Sequence, residues 1–156
     1  MVNTFLFFKM DNCLFCKIGK GEIPSYNIME DEGHFAFLDI FPNTPGMTLV
    51  VPKQHFDSDA FQMPKDDYSK LLDYSRSVVD LLKKKLGVSR VAMVLEGMGV
   101  NHVHVKLYPL HGVGSDFKVF EHSERVFFPK YDGYITTKMG PPGQDLKAIQ
   151  ELIKRE

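Results

Sequence analysis

Cysteine is scarce in this chain: two residues, Cys13 and Cys16, among 156. So small a number cannot build a secreted disulfide scaffold. Charge of either sign is also nearly balanced, with a formal net charge of −1. The chain therefore lacks the basic footprint of a nucleic-acid backbone binder, and no nucleic-acid partner is expected. A nucleotide-sized ligand is not excluded, because it needs only a local site. No apolar run approaches the roughly 18 residues needed to cross a bilayer, so no membrane partner is expected. The opening "MVNTFLFFKMDN" has no basic start, no long apolar region and no small-residue cleavage site. It does not read as a signal peptide, and a soluble cytoplasmic protein is the default. Internal repeats and low-complexity tracts are also missing.

What remains is an ordinary globular composition, 44% hydrophobic and 25% charged. The length suits one domain, taken as residues 1–156, with enough chain for a core. "DNCLFCKIGKGEIP" reads as a short helix with an Asp/Asn cap candidate, closed by Gly and Pro. "SYNIMED" and "HFAFLDIF" flank a glycine-bearing turn and predict a hairpin. "TLVVPKQHF" predicts a third strand, apolar enough to be buried on both faces. From Pro64 to Gly87 the spacing predicts a long helix, with Tyr68, Leu71, Leu72, Ser75, Val78, Val79, Leu82 and Leu86 on one face. Acids in its first turn and Lys83 to Lys85 in its last suit the helix dipole, and the lysines read as a solvated end. "SRVAMVLEG" and "HVHVKLYP", joined by a tight turn at "MGVN", predict two more strands. An aromatic stretch, "FKVFEHSERVFFPKYDGYITT", predicts short strands or an extended arm. "GPPG" breaks the chain, and "QDLKAIQELIKRE" predicts a terminal helix with Leu146, Ile149 and Ile153 on one stripe. The expected class is α+β: a mostly antiparallel sheet of about five strands, one long helix and a short N-terminal helix.

One strand carries the chemistry. In "NHVHVKLYPL", alternation puts His102, His104 and Lys106 on one face and Val103, Val105 and Leu107 on the other. Imidazoles in a row suit metal binding, or attack by a histidine on phosphorus or carbonyl beside a cation. The same pattern also fits plain polar surface. "CLFC" is equally open taken alone, between redox, metal and inert readings, although no thioredoxin-like strand precedes it. Among the other histidines, His34 reads as surface, and His111, just past the strand, is only a minor candidate for a phosphate contact.

"HVHVKLYP" resembles the signature of the histidine triad family. The upstream segments "CLFCKIGKGEIP", "AFLDI", a "PG" turn and "LVVPKQH" resemble that family's N-terminal half, in order. The resemblance covers about Asn12 to Pro109, the core, and leaves 110–156 as a C-terminal extension. It implies a compact α+β domain that pairs as a homodimer and binds a purine nucleotide or nucleoside phosphate. It implies nucleotidyl transfer or hydrolysis at the α-phosphate of an ester, anhydride or phosphoramidate, as in a nucleoside phosphoramidase. Carried over, His104 is the nucleophile that forms a nucleotidyl-histidine intermediate. Asp39 holds the ribose hydroxyls, and Leu14, Phe15, Phe37 and Ile40 surround the base. The Cys pair of the family takes the histidine of "VPKQH" and the first triad histidine as partners. That implies structural zinc on Cys13, Cys16, His55 and His102.

Three departures bear on activity. Lys106 replaces the third histidine, Met47 stands where the family has a histidine after the "PG" turn, and the loop "EGMGVN" is short and lacks a Gln-Ser pair. Lys106 and Asn101 are expected to hold phosphate oxygens in their place. These departures also admit a nucleotide-binding module without useful catalysis, and a dinucleoside polyphosphate hydrolase is a third reading.

Overall fold

The computed structural model describes residues 12–116, 127, 129–131, 133 and 145–155. Among the described residues, three α-helices and five strands follow one another as α1 (Leu14–Gly19), β1 (Asn27–Glu30), β2 (His34–Leu38), β3 (Thr48–Pro52), α2 (Lys65–Leu86), β4 (Val91–Val94), β5 (Val105–Pro109) and α3 (Leu146–Lys154). A 3₁₀ turn, Ala60–Gln62, precedes α2. The strands form one sheet in the order β1-β2-β3-β5-β4, every pairing antiparallel. This is the α+β architecture that the sequence predicts.

Alternation along the strands divides the core in two. Ala36, Leu38, Val50, Val105 and Leu107 pack with Leu71, Val78 and Leu82 of α2 and with Leu146 and Ile153 of α3. Phe35, Phe37, Leu49 and Val51 point the other way and meet Cys13, Phe15 and Cys16 around α1. All five residues of β3 are buried, as a continuous apolar run demands. Tyr74 joins the buried stripe of α2, an addition to the face read from spacing. Gly87, at φ +66°, ends that helix in the left-handed conformation glycine tolerates.

Local details depart from the sequence reading. The N-cap of α1 is Cys13, which makes no side-chain cap bond, and not the Asp/Asn candidate of the sequence. No tight turn joins β4 to β5: their pairing ends at Val94 with Lys106, and ten residues connect the two strands. His102 and His104 thus lie in the extended approach to β5 and not within the ladder. Gly97 sits in that connection at φ +73°, and a Cβ there would lie 2.8 Å from the Ser58 carbonyl oxygen. Only glycine lets the two loops approach this closely.

The terminal helix is present: Asp145 caps it through a bond from the Ala148 N–H, 2.9 Å. Gln150 donates to the Asn27 carbonyl of β1, which ties α3 to the sheet. Lys85 donates to the Arg155 carbonyl, so one lysine of the expected solvated run is a helix-end partner. The aromatic arm and the "GPPG" break lie almost wholly outside the described residues. No helix among the described residues is long and apolar enough to cross a membrane.

Candidate functional site

α1 lies on the sheet face opposite α2 and delivers two cysteines to it. Cys13, Cys16, His55 and His102 converge there, their ligand atoms all within 4.8 Å of one another. Cys13 Sγ and Cys16 Sγ lie 3.3 and 3.5 Å from His102 Nδ1, and Cys16 Sγ lies 3.4 Å from His55 Nδ1. Tetrahedral zinc with Zn–S near 2.3 Å and Zn–N near 2.0–2.1 Å requires S–N edges of about 3.6 Å. The three sulfur–nitrogen separations of 3.3 to 3.5 Å come close to the edges of such a tetrahedron. His102 Nε2 donates to the Pro52 carbonyl at 2.9 Å, which fixes the tautomer and leaves Nδ1 unprotonated toward the sulfurs. Burial pushes the His102 imidazole down to about 4, keeping it neutral, as a ligand must be. Burial, with Cys13 alongside, pushes the Cys16 thiol up to about 12. Such a thiol gives up its proton to solvent readily only when a cation binds the thiolate, which is what a metal would supply. Both cysteines are free of disulfide bonding. The residues present fit zinc.

Two residues further on, the chain enters a different environment. His104 is almost fully buried at 3% exposure, yet it lines a cleft of about 480 Å³. The same cleft is lined by Leu14, Phe15, Phe37, Asp39 and Ile40, and by Lys106 and Glu96. All five residues expected around a nucleoside are thus brought together with the expected nucleophile. Phe15 stands edge-on to both His104 and Phe37, with ring centroids 5.2 and 5.8 Å away. Leu14 and Ile40 are exposed at its rim. Asp39 spends one carboxylate oxygen on the Phe41 N–H at 2.8 Å, which holds the carboxylate in place. Met47, in the family's histidine position, is buried and lines the same cleft.

His104 is oriented by its own backbone. Its Nδ1 donates to the His102 carbonyl at 2.8 Å. A carbonyl only accepts, so Nδ1 carries the proton and Nε2 keeps a lone pair. Burial lowers the pKa of the imidazole below its ordinary value, and the Lys106 charge adds to this. The His102 carbonyl, Glu96 and Asp39 oppose the shift.

Lys106 and Asn101 sit otherwise than the sequence reading placed them. Lys106 is not a free cation: its Nζ lies 2.7 Å from Glu96 Oε2. Asn101 does not line the cleft. It lines a separate cavity with Cys13 and His55, its Oδ1 accepting from the Ser58 N–H and its Nδ2 donating to Asp57, both at 3.0 Å. It clamps the loop before β5 to the loop after β3. His111 is likewise occupied, donating to the Pro45 carbonyl at 2.8 Å. His34 is not plain surface, since it stacks on Tyr74 at 5.0 Å.

Glu96 is the functional candidate that sequence reasoning missed. The last ladder pair, Val94 with Lys106, puts it two residues beyond and diagonal to that lysine. A signal existed in the parity of "VLE" against "HVHVK", but only the register makes it readable.

The family model described as the HIT domain matches residues 20–112. An uncharacterized HIT-like protein of Methanocaldococcus jannaschii is 42% identical over 102 residues, 62% of this chain and 78% of its own. An adenosine 5'-monophosphoramidase of Candida albicans is 34% identical over 107 residues, 63% of this chain and 70% of its own. A crystal structure of a zinc-bound histidine triad family protein from Mycobacterium smegmatis superposes with a TM-score of 0.65. That match is 22% identical and covers 93% of this chain and 92% of the other, so it speaks for the fold. The family model spans well over half of the sequence, and this chain belongs to the HIT, or histidine triad, family.

Proposed function

We propose that the chain is a nucleotide hydrolase or transferase of the nucleoside phosphoramidase type, working through a nucleotidyl-histidine intermediate on His104. The observation that carries this reading is the bond from His104 Nδ1 to the His102 carbonyl, which leaves Nε2 as the nitrogen with a free lone pair beside the cleft. That lone pair forms a bond to the α-phosphorus of a purine nucleoside phosphoramidate, ester or anhydride. The bond from phosphorus to the leaving nitrogen or oxygen breaks, and the leaving group takes a proton from solvent in the open cleft. Water then attacks phosphorus, the P–Nε2 bond breaks, and a nucleoside monophosphate departs with His104 again neutral. A buried, immobilised imidazole suits this because it stays unprotonated and pre-aimed.

The remaining residues take supporting parts. Asp39 accepts from the ribose hydroxyls, for which an ionised carboxylate is well matched. Leu14, Phe15, Phe37 and Ile40 hold the base. Lys106 directs N–H groups beyond the one given to Glu96 at a phosphate oxygen, and Asn101 acts by clamping the loop that brings Gly99 and Val100 to the cleft. Cys13, Cys16, His55 and His102 hold a structural zinc that ties α1 to the approach to β5. Residues 1–156 are read as one domain, a core of about 12–109 with 110–156 as a C-terminal extension that carries the terminal helix, and the protein as a cytoplasmic homodimer. Support for the activity comes from the phosphoramidase relative, and support for the metal from the donor geometry.

The test is hydrolysis of an adenosine phosphoramidate. His104→Ala should lower kcat/KM at least about 10³-fold while circular dichroism stays unchanged. Full turnover by the variant overturns the reading. A second reading has its own observation, the neutralised Lys106: a nucleotide-binding module, which binds AMP without turning over any phosphoramidate. A dinucleoside polyphosphate hydrolase would be separated by its products.

A further inference from the structure

A site for phosphate ordinarily offers an unpaired cation. This cleft does not do so among its described lining residues. Its charged groups there are Asp39, Glu96 and Lys106, and the single cation is bound at 2.7 Å to Glu96. The pair is well removed from water: the Lys106 side chain is 14% exposed and that of Glu96 is 3% exposed. Exposure this low weakens screening, so the pair acts on a ligand as a near-neutral dipole and not as a point charge. Asp39 adds a negative charge near the same space.

We propose that Glu96 is a specificity-determining residue, which cancels Lys106 and biases the cleft toward ligands with few negative charges. The class favoured is nucleoside monophosphates and their amides or esters with neutral or cationic leaving groups. Nucleoside di- and triphosphates and dinucleoside polyphosphates, which extend a chain of negative charge past His104, are disfavoured. This rests on the nucleotide-binding reading above and adds to it the charge class of the ligand.

The carboxylate acts by placement. Glu96 follows β4, and the ladder that ends at Val94–Lys106 sets it on the diagonal of the lysine and close to His104. A lysine alone at position 106 would attract each added phosphate. With Glu96 beside it, the attraction is offset by repulsion from a fixed charge, and selection falls on the length of the phosphate chain.

Calorimetry on the full chain with AMP, ADP and ATP tests this. Wild type should bind ADP no more tightly than AMP. Glu96→Gln should tighten ADP relative to AMP about tenfold, by leaving the lysine charge uncompensated. The double variant Glu96→Gln/Lys106→Gln should restore the wild-type ratio within about twofold, since the net charge is again that of the parent. If Glu96→Gln alone does not fold, Lys106→Gln serves, and the ratio should move about tenfold toward AMP. A ratio that stays constant across these variants, or a double variant that follows the single one, overturns the proposal. Failure of wild type to bind AMP at all overturns instead the nucleotide reading beneath it, so the two failures are distinct.

Discussion

On one face of the sheet, Ala36, Leu38, Val50, Val105 and Leu107 lie under a 22-residue helix that seals them from water. On the other, Phe35, Phe37, Leu49 and Val51 lie under a helix of six residues, which cannot cover them all. The uncovered part is the cleft. The same five-residue strand serves both, since alternate side chains of β5 go to opposite faces. The long helix gives the first face a dry apolar core. The short one leaves the second with buried polar groups that must each find a partner. His102 has the Pro52 carbonyl and the cysteines, His104 has the His102 carbonyl, and Lys106 has Glu96. Chemistry is thus available on the incompletely covered face, and stability is concentrated on the other.

Truncation on each face should separate the two roles. Phe37→Ala should cost about 3–5 kcal/mol of stability and also weaken AMP binding, because Phe37 belongs to both the packing and the cleft. Leu82→Ala should cost about 2–5 kcal/mol and leave AMP affinity unchanged. Denaturant unfolding and calorimetry read both, and a loss of affinity in Leu82→Ala would break the division between faces.

Metal loss comes next in size. Cys16→Ser should abolish zinc, measured as metal per chain, and lower Tm by roughly 4–8 °C, the shift expected for about 2 kcal/mol in a domain of this length. A variant that keeps zinc and Tm contradicts the assignment. Acid should give the smallest effect. Burial holds the pKa of His104 below 6.5, so the acid limb of kcat/KM should lie below 6.5. The sign follows from the depressed value of a base. The unfolded chain takes up the proton first, so this contribution to stability is complete above 6.5 and is lost as pH falls. A limb at or above 6.5 contradicts a buried neutral imidazole.

Much of this was legible in the residues themselves. Periodicity fixed the long helix and the doubly buried β3, and alternation placed His104 and Lys106 on one face. The base and ribose candidates, Leu14, Phe15, Phe37, Asp39 and Ile40, all reach the cleft. Less legible was anything set by register or by loop contacts. Whether Glu96 meets Lys106 depends on which residues of β4 and β5 pair, and ten connecting residues leave that open in a sequence. The amide of Asn101 is taken by Ser58 and Asp57, more than forty positions away in the chain, and no local pattern announces such a bond. His34 looked like surface because its cover, Tyr74, comes from a distant helix.

The most direct measurement is a rapid quench of turnover with an adenosine phosphoramidate into alkali, followed by peptide mass spectrometry. A nucleotidyl group should be found on the peptide containing His104, localised to that side chain and missing in His104→Ala. Turnover with no adduct, or with the adduct on another residue, would contradict the assignment of Nε2 as the attacking atom.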